Sequence, residues 1–393
     1  VDDEEPGHRP RLRTRAGAQG AAGTAVRTET RVTPSRRGPT VDAMPQATSD
    51  ADPDRALEAP FDAVHAAIVE SGFSGAVRVD VAGRTAFAHA HGPAHRGLGV
   101  PNTLDTQFAI ASGAKAFTAM AVMSLVDDGV LTLDAPVRRW LRDDLPLVAD
   151  DVTVEHLLAH RSGIGDYLHE DDHEITDYVM PIPVHRLAAA EDYLAVLDGF
   201  PTVFPAGERF AYNNGGFVVL ALLAERASGV PYHDLVTTRV TERAGMADTA
   251  FLRSDALPGR AALGYLFAGD DLRTHVLHLP VRGVGDGGAY STVADFAAFW
   301  SAAAGGRIVG ADTFARMVTA LSVDPDPDSS FRYGLGFWLE PEGDGVLLEG
   351  YDAGVSFRSL HRPSTGLTWT VVSNWTDGAW PVARALGHAF PAT

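Results

Sequence analysis

What most restricts the fold is the position of the strand-like segments, which lie at the two ends of the chain with helical periodicity between them. Residues 75–81 and 85–89 alternate apolar and polar around Ala82-Gly83, the pattern of a hairpin. Residues 346–349, 356–361 and 367–373 do the same near the other end, the last two joined by the turn Pro363-Ser364-Thr365-Gly366. Amphipathic helices are expected outside these strands, over 56–71 (Leu57, Phe61, Val64, Ile68) and about 379–390. From Ala111 to about Arg282 the reading is mainly helical, with Pro- and Gly-rich breaks. The expectation is therefore an α/β protein: one antiparallel sheet flanked by helices, made from residues 56–116 and 286–393 and interrupted by a mainly helical domain over 117–285. At 393 residues such a chain buries roughly three quarters of its unfolded surface without staples. It has no cysteine, which excludes a disulfide framework, thiol catalysis and cysteine-ligated metal sites.

Residues 1–55 read as a disordered tail with no apolar period. Arg36-Arg37 is not followed by the apolar run of an export signal, and Met44 offers an alternative start that would leave much of the tail untranslated. The net charge of −19 resides in the remainder of the chain, because the first 50 residues carry 8 Arg against 7 acids. So acidic a body repels a phosphate backbone and an anionic bilayer, so neither nucleic acid nor membrane is expected as a partner. The longest apolar run, residues 217–224, is far short of a membrane span. A cytoplasmic location is the default expectation.

Lys115 is the only lysine among 32 basic residues. Where arginine serves for ordinary charge, a lone lysine points to chemistry a guanidinium cannot perform, the loss of a proton near neutral pH. It stands in Ser112-Gly113-Ala114-Lys115 at the start of a helical pattern, and i, i+3 spacing puts hydroxyl and amine one turn apart. The helix N-terminus adds partial positive charge, favouring an alkoxide and lowering an amine's pKa. A second group, Tyr212-Asn213-Asn214, supplies a phenol able to relay a proton and a carboxamide able to orient an amine. A third, Glu349-Gly350-Tyr351-Asp352-Ala353-Gly354, ends a strand, where a backbone N–H can complete an oxyanion hole with the amide of Ser112. Taken singly, each has a bland reading: a surface Ser and Lys, a buried Tyr beside a capping Asn, a hairpin.

In this order the three groups resemble the S-x-x-K, Y-x-N and H-x-G or K-T-G motifs of the serine β-lactamases and penicillin-binding proteins, closest to the class C and esterase-like branch. The likeness extends to Phe108-Ala109-Ile110-Ala111-Ser112, to Glu155-His156-Leu157-Leu158-Ala159-His160-Arg161-Ser162-Gly163, to Gly287-Gly288-Ala289-Tyr290-Ser291-Thr292 and to Tyr333-Gly334-Leu335-Gly336-Phe337-Trp338. It covers about residues 60–390. The resemblance implies the β-lactamase/DD-peptidase-like fold, with Ser112 as acylated nucleophile, Lys115 as its base, Tyr212 as proton relay and Asn214 positioning Lys115 and substrate. It implies no metal and no organic cofactor, and a small-molecule or short-peptide substrate.

The third motif departs from the family. The best register puts Tyr351 at the His or Lys position and Ala353 at the Gly, with Gly354 giving the oxyanion amide; a shifted register would put Glu349 at the cationic place. Without a cation, and with Asp352 alongside, a substrate carboxylate is poorly held unless Arg358 compensates. The expectation is thus a serine hydrolase acting on esters or amides, with acyl transfer open. A D-alanyl-D-alanine carboxypeptidase or β-lactamase is the alternative, and a catalytically silent binding protein is the alternative of another class.

Two further patterns match by letter only. His169-Glu170-Asp171-Asp172-His173 fits the zinc signature H-E-x-x-H, but its two middle positions are both Asp and it reads as a solvated acidic loop. Gly283-Val284-Gly285-Asp286-Gly287-Gly288 fits the dinucleotide fingerprint without a surrounding βαβ unit, and reads as a turn bringing the chain back from its helical part. His156 and His160, four apart, are read as structural, and Tyr167, Trp338 and Tyr351 as possible pocket aromatics.

Overall fold

The alternating segments at both ends of the chain join into one sheet. The computed structural model describes residues 53–168, 175, 178–268, 271–327 and 329–392; residues 1–52 of the expected tail and the 169–173 pattern lie outside them, while 53–55 belong to a helix and not to a tail. The large sheet and its principal helices are helix α1 (Pro53–Glu70), strands β1 (Gly75–Val81) and β2 (Arg84–His91), helices α2 (Lys115–Asp127), α3 (Asn214–Ser228) and α4 (Val293–Ala304), strands β3 (Ser322–Val323), β4 (Arg332–Tyr333), β5 (Trp338–Leu339), β6 (Val346–Asp352), β7 (Val355–Arg362) and β8 (Leu367–Ser373), and helix α5 (Trp380–Ala389). The strands form an antiparallel sheet in the order β2-β1-β8-β7-β6-β5-β4-β3. The N-terminal and C-terminal strands meet near one edge of it, where β1 pairs with β8 from Gly75↔Ser373 to Val81↔Leu367.

Period-two alternation gives the sheet two apolar faces, so both must be covered. On the outer face Val77, Val79, Leu347, Leu360, Trp369 and Val371 pack against Val64 and Ile68 of α1 and Val382 and Leu386 of α5. On the inner face Leu348, Phe357 and Val372 join the larger core with Phe117 of α2 and Phe296 and Trp300 of α4. Trp300 satisfies its buried indole N–H by donating to Ser359 Oγ at 2.8 Å. Helix α2 is apolar all round, every residue from Lys115 to Leu125 being buried, as a helix wrapped on all sides requires.

The middle of the chain is less helical than expected. Tyr265–Ala268 and Asp271–Thr274 pair as a small hairpin. A short apolar run such as Tyr265-Leu266-Phe267-Ala268 carries no periodicity that separates strand from helix. Residues 51–393 form one compact unit. Among the described residues no helix is long and apolar enough to cross a membrane.

Candidate active site

Ser112 lies on a short 3-10 turn, Ala111–Ala114, that feeds directly into α2. Two contacts fix the turn. Phe108–Ala109 pairs with Tyr290–Ser291, and the Ile110 N–H donates to the Ala289 carbonyl at 3.0 Å. The residue before the serine, Ala111, has φ +45°, a left-handed conformation costing a non-glycine residue roughly 1–2 kcal/mol. Such strain persists only where surrounding structure enforces it. The glycine-rich turn at 283–288 contributes to that enforcement: a Cβ on Gly287 would lie 3.3 Å from the Ala111 carbonyl, and one on Gly285 would lie 2.0 Å from that of Phe217. Those glycines allow close packing against α3 and the serine turn.

One helical turn on, Lys115 Nζ lies 2.9 Å from Ser112 Oγ. It also donates to Asn214 Oδ1 and to the Asp286 main-chain carbonyl, both at 2.7 Å. A neutral amine has two N–H bonds and one lone pair. In that form, with the Asn214 and Asp286 oxygens taking the N–H groups, the lone pair would be left for the serine hydroxyl, whereas an ammonium donates to all three oxygens. The amine is buried, and stands 4.9 Å from the centroid of the Tyr212 ring. Ser112, Lys115, Tyr212 and Asn214, more than 100 residues apart at the extremes, are thereby brought together.

Asn214 is the first residue of α3, and Asn213 caps that helix by accepting the Gly216 N–H at 2.6 Å. The Asp166 carboxylate accepts the N–H groups of Asn214 at 2.7 Å and Gly215 at 2.9 Å. Burial pushes its pKa up to about 6, against the opposing pull of those amides and of Lys115. Asn214 Nδ2 donates to the Leu168 carbonyl at 3.1 Å. Behind Lys115, the Asp286 carboxylate accepts the Tyr167 hydroxyl at 2.5 Å. Burial raises its pKa too, with Lys115 and Tyr167 working the other way. Tyr167, read from sequence as a pocket aromatic, is thus a buried anchor.

The third motif requires a correction. Gly350 points from the inner face of β6 onto the serine turn, where a Cβ would sit 2.0 Å from the Ile110 carbonyl and 3.0 Å from the Gly113 nitrogen. Gly350 is therefore the glycine that lets the strand lie on the nucleophile, and neither Ala353 nor Gly354 has that place. Ala353-Gly354 forms the two-residue hairpin turn between β6 and β7. Its amides are directed elsewhere, Ala353 N–H to Asp352 Oδ1 at 2.8 Å and Gly354 N–H to Thr376 Oγ1 at 2.9 Å. In a two-residue hairpin the flanking residues, here Asp352 and Val355, form the hydrogen-bonded pair, so alternation directs the Tyr351 N–H away from β7. On that side β6 runs over the serine turn, where Gly350 meets Ile110 and Gly113.

With the motif's glycine at Gly350, Leu348 occupies the family's His or Lys position, buried and apolar, and neither Tyr351 nor Glu349 does. The Tyr351 side chain lies on the outer face, 42 % exposed, with its ring 5.9 Å from that of Trp380. Arg358 is also on the outer face, in an ion pair with Glu349 directly across the strand pair. It cannot compensate for the missing cation.

Asp286, Asp166 and Gly350 were not singled out as site residues from sequence. A lone acid inside a run of four glycines, Gly283 to Gly288, was the available signal for Asp286. Its role resides in a main-chain carbonyl, which no side-chain pattern reveals. His156 completes a capping box with Thr153. Among the described residues no group of three or more potential ligands could hold a metal ion.

The family model described as Beta-lactamase matches residues 55–391. Esterase EstB of Burkholderia gladioli is 34% identical over 226 residues, 53% of this chain and 54% of that protein. Penicillin-binding protein 4* of Bacillus subtilis (strain 168) is 30% identical over 213 residues, 53% of this chain and 44% of that one. The match thus spans about half the length of these curated relatives. Among solved structures, the penicillin binding protein from Bacillus halodurans superposes with a TM-score of 0.78 at 34% identity, covering 83% of this chain and all of that one. With sheet order, serine turn and lysine in the arrangement described, this chain belongs to the β-lactamase family.

Proposed function

We propose that this chain is a serine hydrolase that cleaves ester or amide bonds through an acyl-enzyme on Ser112. The observation that carries the proposal is the three-way hold on Lys115, which places its amine nitrogen 2.9 Å from Ser112 Oγ. Lys115 takes the hydroxyl proton as Oγ attacks the substrate carbonyl. The resulting oxyanion sits between the amides of Ser112 and Tyr351. As the tetrahedral intermediate collapses, Tyr212 passes the proton on to the leaving alcohol or amine. A water then enters, and the same groups in reverse release the acid; an alcohol or amine entering instead would give acyl transfer.

The altered third motif favours substrates without a carboxylate next to the scissile bond. Leu348 offers neither charge nor hydrogen bond, and Arg358 is neutralised by Glu349. The family's carboxylate-bearing substrates, β-lactams and peptides ending in D-alanine, are thereby disfavoured. The name of esterase EstB, a relative at 34% identity, agrees with the ester reading.

The test is a pre-steady-state comparison of a p-nitrophenyl ester with a penicillin. The expected result is a Ser112-dependent burst of nitrophenol with the ester, and acylation by penicillin slower by at least about tenfold, the loss of one charge-assisted contact. Equal or faster acylation by penicillin would overturn the substrate assignment, and an undiminished burst in Ser112→Ala would overturn the mechanism.

A further inference from the structure

His160 is 1 % exposed and sits in the left-handed region at φ +52°, where a residue with a side chain is held only by its surroundings. Those surroundings are the residues on either side of Tyr212. The His160 carbonyl accepts the Ala211 N–H at 2.9 Å, and its Nδ1 accepts the Asn213 N–H at 3.1 Å. Between these two bonds the imidazole lies against the phenol itself, ring centroids 4.3 Å apart and tilted by 37°. Phe210, Phe217 and Tyr333 enclose its remaining edges, at 5.8, 4.9 and 4.9 Å. Trp338 stacks parallel to Tyr212 at 6.0 Å, so the phenol has aromatic neighbours in both rings.

We propose that His160 is a positioning residue for Tyr212: it clamps the backbone before and after the phenol and supports its ring, fixing where the hydroxyl stands relative to Lys115. The inference rests on the serine-hydrolase reading above, and gives His160 a part in it that acts through Tyr212 alone. The clamp requires a neutral imidazole. Nδ1 accepts a hydrogen bond, so the ring proton is on Nε2, and a second proton on Nδ1 would face the Asn213 N–H donor to donor. Burial, and then the nearby Lys115, hold its pKa well below the usual histidine range, which keeps the clamp closed across the working pH. The charged and titratable groups around it are few: Lys115 and Tyr212 on the site side and Tyr333 behind.

A double-mutant cycle separates positioning from general structural support. His160→Asn suits the left-handed backbone and keeps an oxygen acceptor, but it has no ring. It is expected to lower kcat by about 10- to 100-fold with KM within about threefold, as a small displacement of a reacting group does. In a Tyr212→Phe background, where no hydroxyl remains to be positioned, the same change is expected to cost less than about threefold. Losses that multiply in full in both backgrounds, or an unchanged kcat, would overturn the proposal.

Should His160→Asn fail to fold, His160→Gly provides the second variant, since glycine relieves the left-handed strain and leaves a ring-sized cavity. Added imidazole is then expected to restore kcat in the His160→Gly protein and not in His160→Gly/Tyr212→Phe. Restoration in both, or in neither, would overturn it. Absence of Ser112-dependent turnover in the wild-type protein would instead overturn the hydrolase reading, and this inference with it.

Discussion

Replacing Gly350 by alanine adds one methyl group at the point where β6 meets the nucleophile turn. The new Cβ would lie 2.0 Å from the Ile110 carbonyl oxygen, where ordinary contact begins at 3.4 Å, and the obstacle is backbone. Strand and turn must separate by more than 1 Å to relieve the overlap, roughly the difference of those two distances. Overpacking of this kind costs about 1–3 kcal/mol of stability, which a protein of this size survives. The effect on chemistry is larger. The shift separates the Ser112 and Tyr351 amides proposed above to form the oxyanion hole, and losing one such donor costs about 10²–10³ in rate. Gly350→Ala is therefore expected to lower kcat/KM for a p-nitrophenyl ester by about 10²–10³-fold, or about 3–4 kcal/mol of transition-state stabilisation, while circular dichroism shows a folded protein. Ala353→Gly is the comparator: it restores the family glycine in the register expected from sequence, and should leave the rate within about threefold. Wild-type turnover in Gly350→Ala, or a gain in Ala353→Gly, would refute the assignment of the hole.

Lys115→Arg supplies a cation that cannot give up its proton, so turnover should fall by about 10²–10⁴-fold at all pH values, and steady-state assay near wild-type rates would contradict the base assignment. Asp166 titrates at about 6 in the folded protein, above its ordinary value of 3.8, so the folded state holds the proton more tightly. Its contribution is fully present below about pH 4 and lost as pH rises through about 6, a fall of about 3 kcal/mol that Asp166→Asn should abolish; parallel urea-unfolding curves for the two proteins at pH 4 and 7 would refute it. Glu340 and Arg362 form a buried ion pair, 2.5 Å apart, and Arg362 also donates to the Phe390 and Pro391 carbonyls at the end of α5. Glu340→Ala leaves that guanidinium uncompensated and should cost about 3–5 kcal/mol by chemical denaturation, whereas a loss below about 1 kcal/mol would contradict the reading.

Much of this site was legible because the chemistry shows in side-chain types at fixed spacing. Ser112 and Lys115 are one helical turn apart, and a lone lysine among arginines marks itself. The sheet was legible for a similar reason, since its strands alternate and each face has its own apolar set, as Val77 and Val79 against Ala76 illustrate. What sequence did not yield is held by backbone. Asp286 contributes a carbonyl and Gly350 the absence of an atom. The third motif was misplaced by three residues because Gly350 and Gly354 both end strand-like runs, and only the approach of Ile110 tells which one lies on the serine. Tyr351 was assigned a side-chain role for the same reason, whereas strand parity places its ring on the opposite face. The hairpin at 265–274 escaped notice because four apolar residues fit either kind of element.

The central claim is that Ser112 carries the acyl group, and intact-mass analysis of the protein quenched during turnover of a p-nitrophenyl ester tests it most directly. The account predicts one adduct of acyl mass, located by peptide mapping to the segment containing Ser112, and absent from Ser112→Ala, which should also lose turnover. Turnover that persists in Ser112→Ala, or an adduct mapped to any other residue, would contradict it.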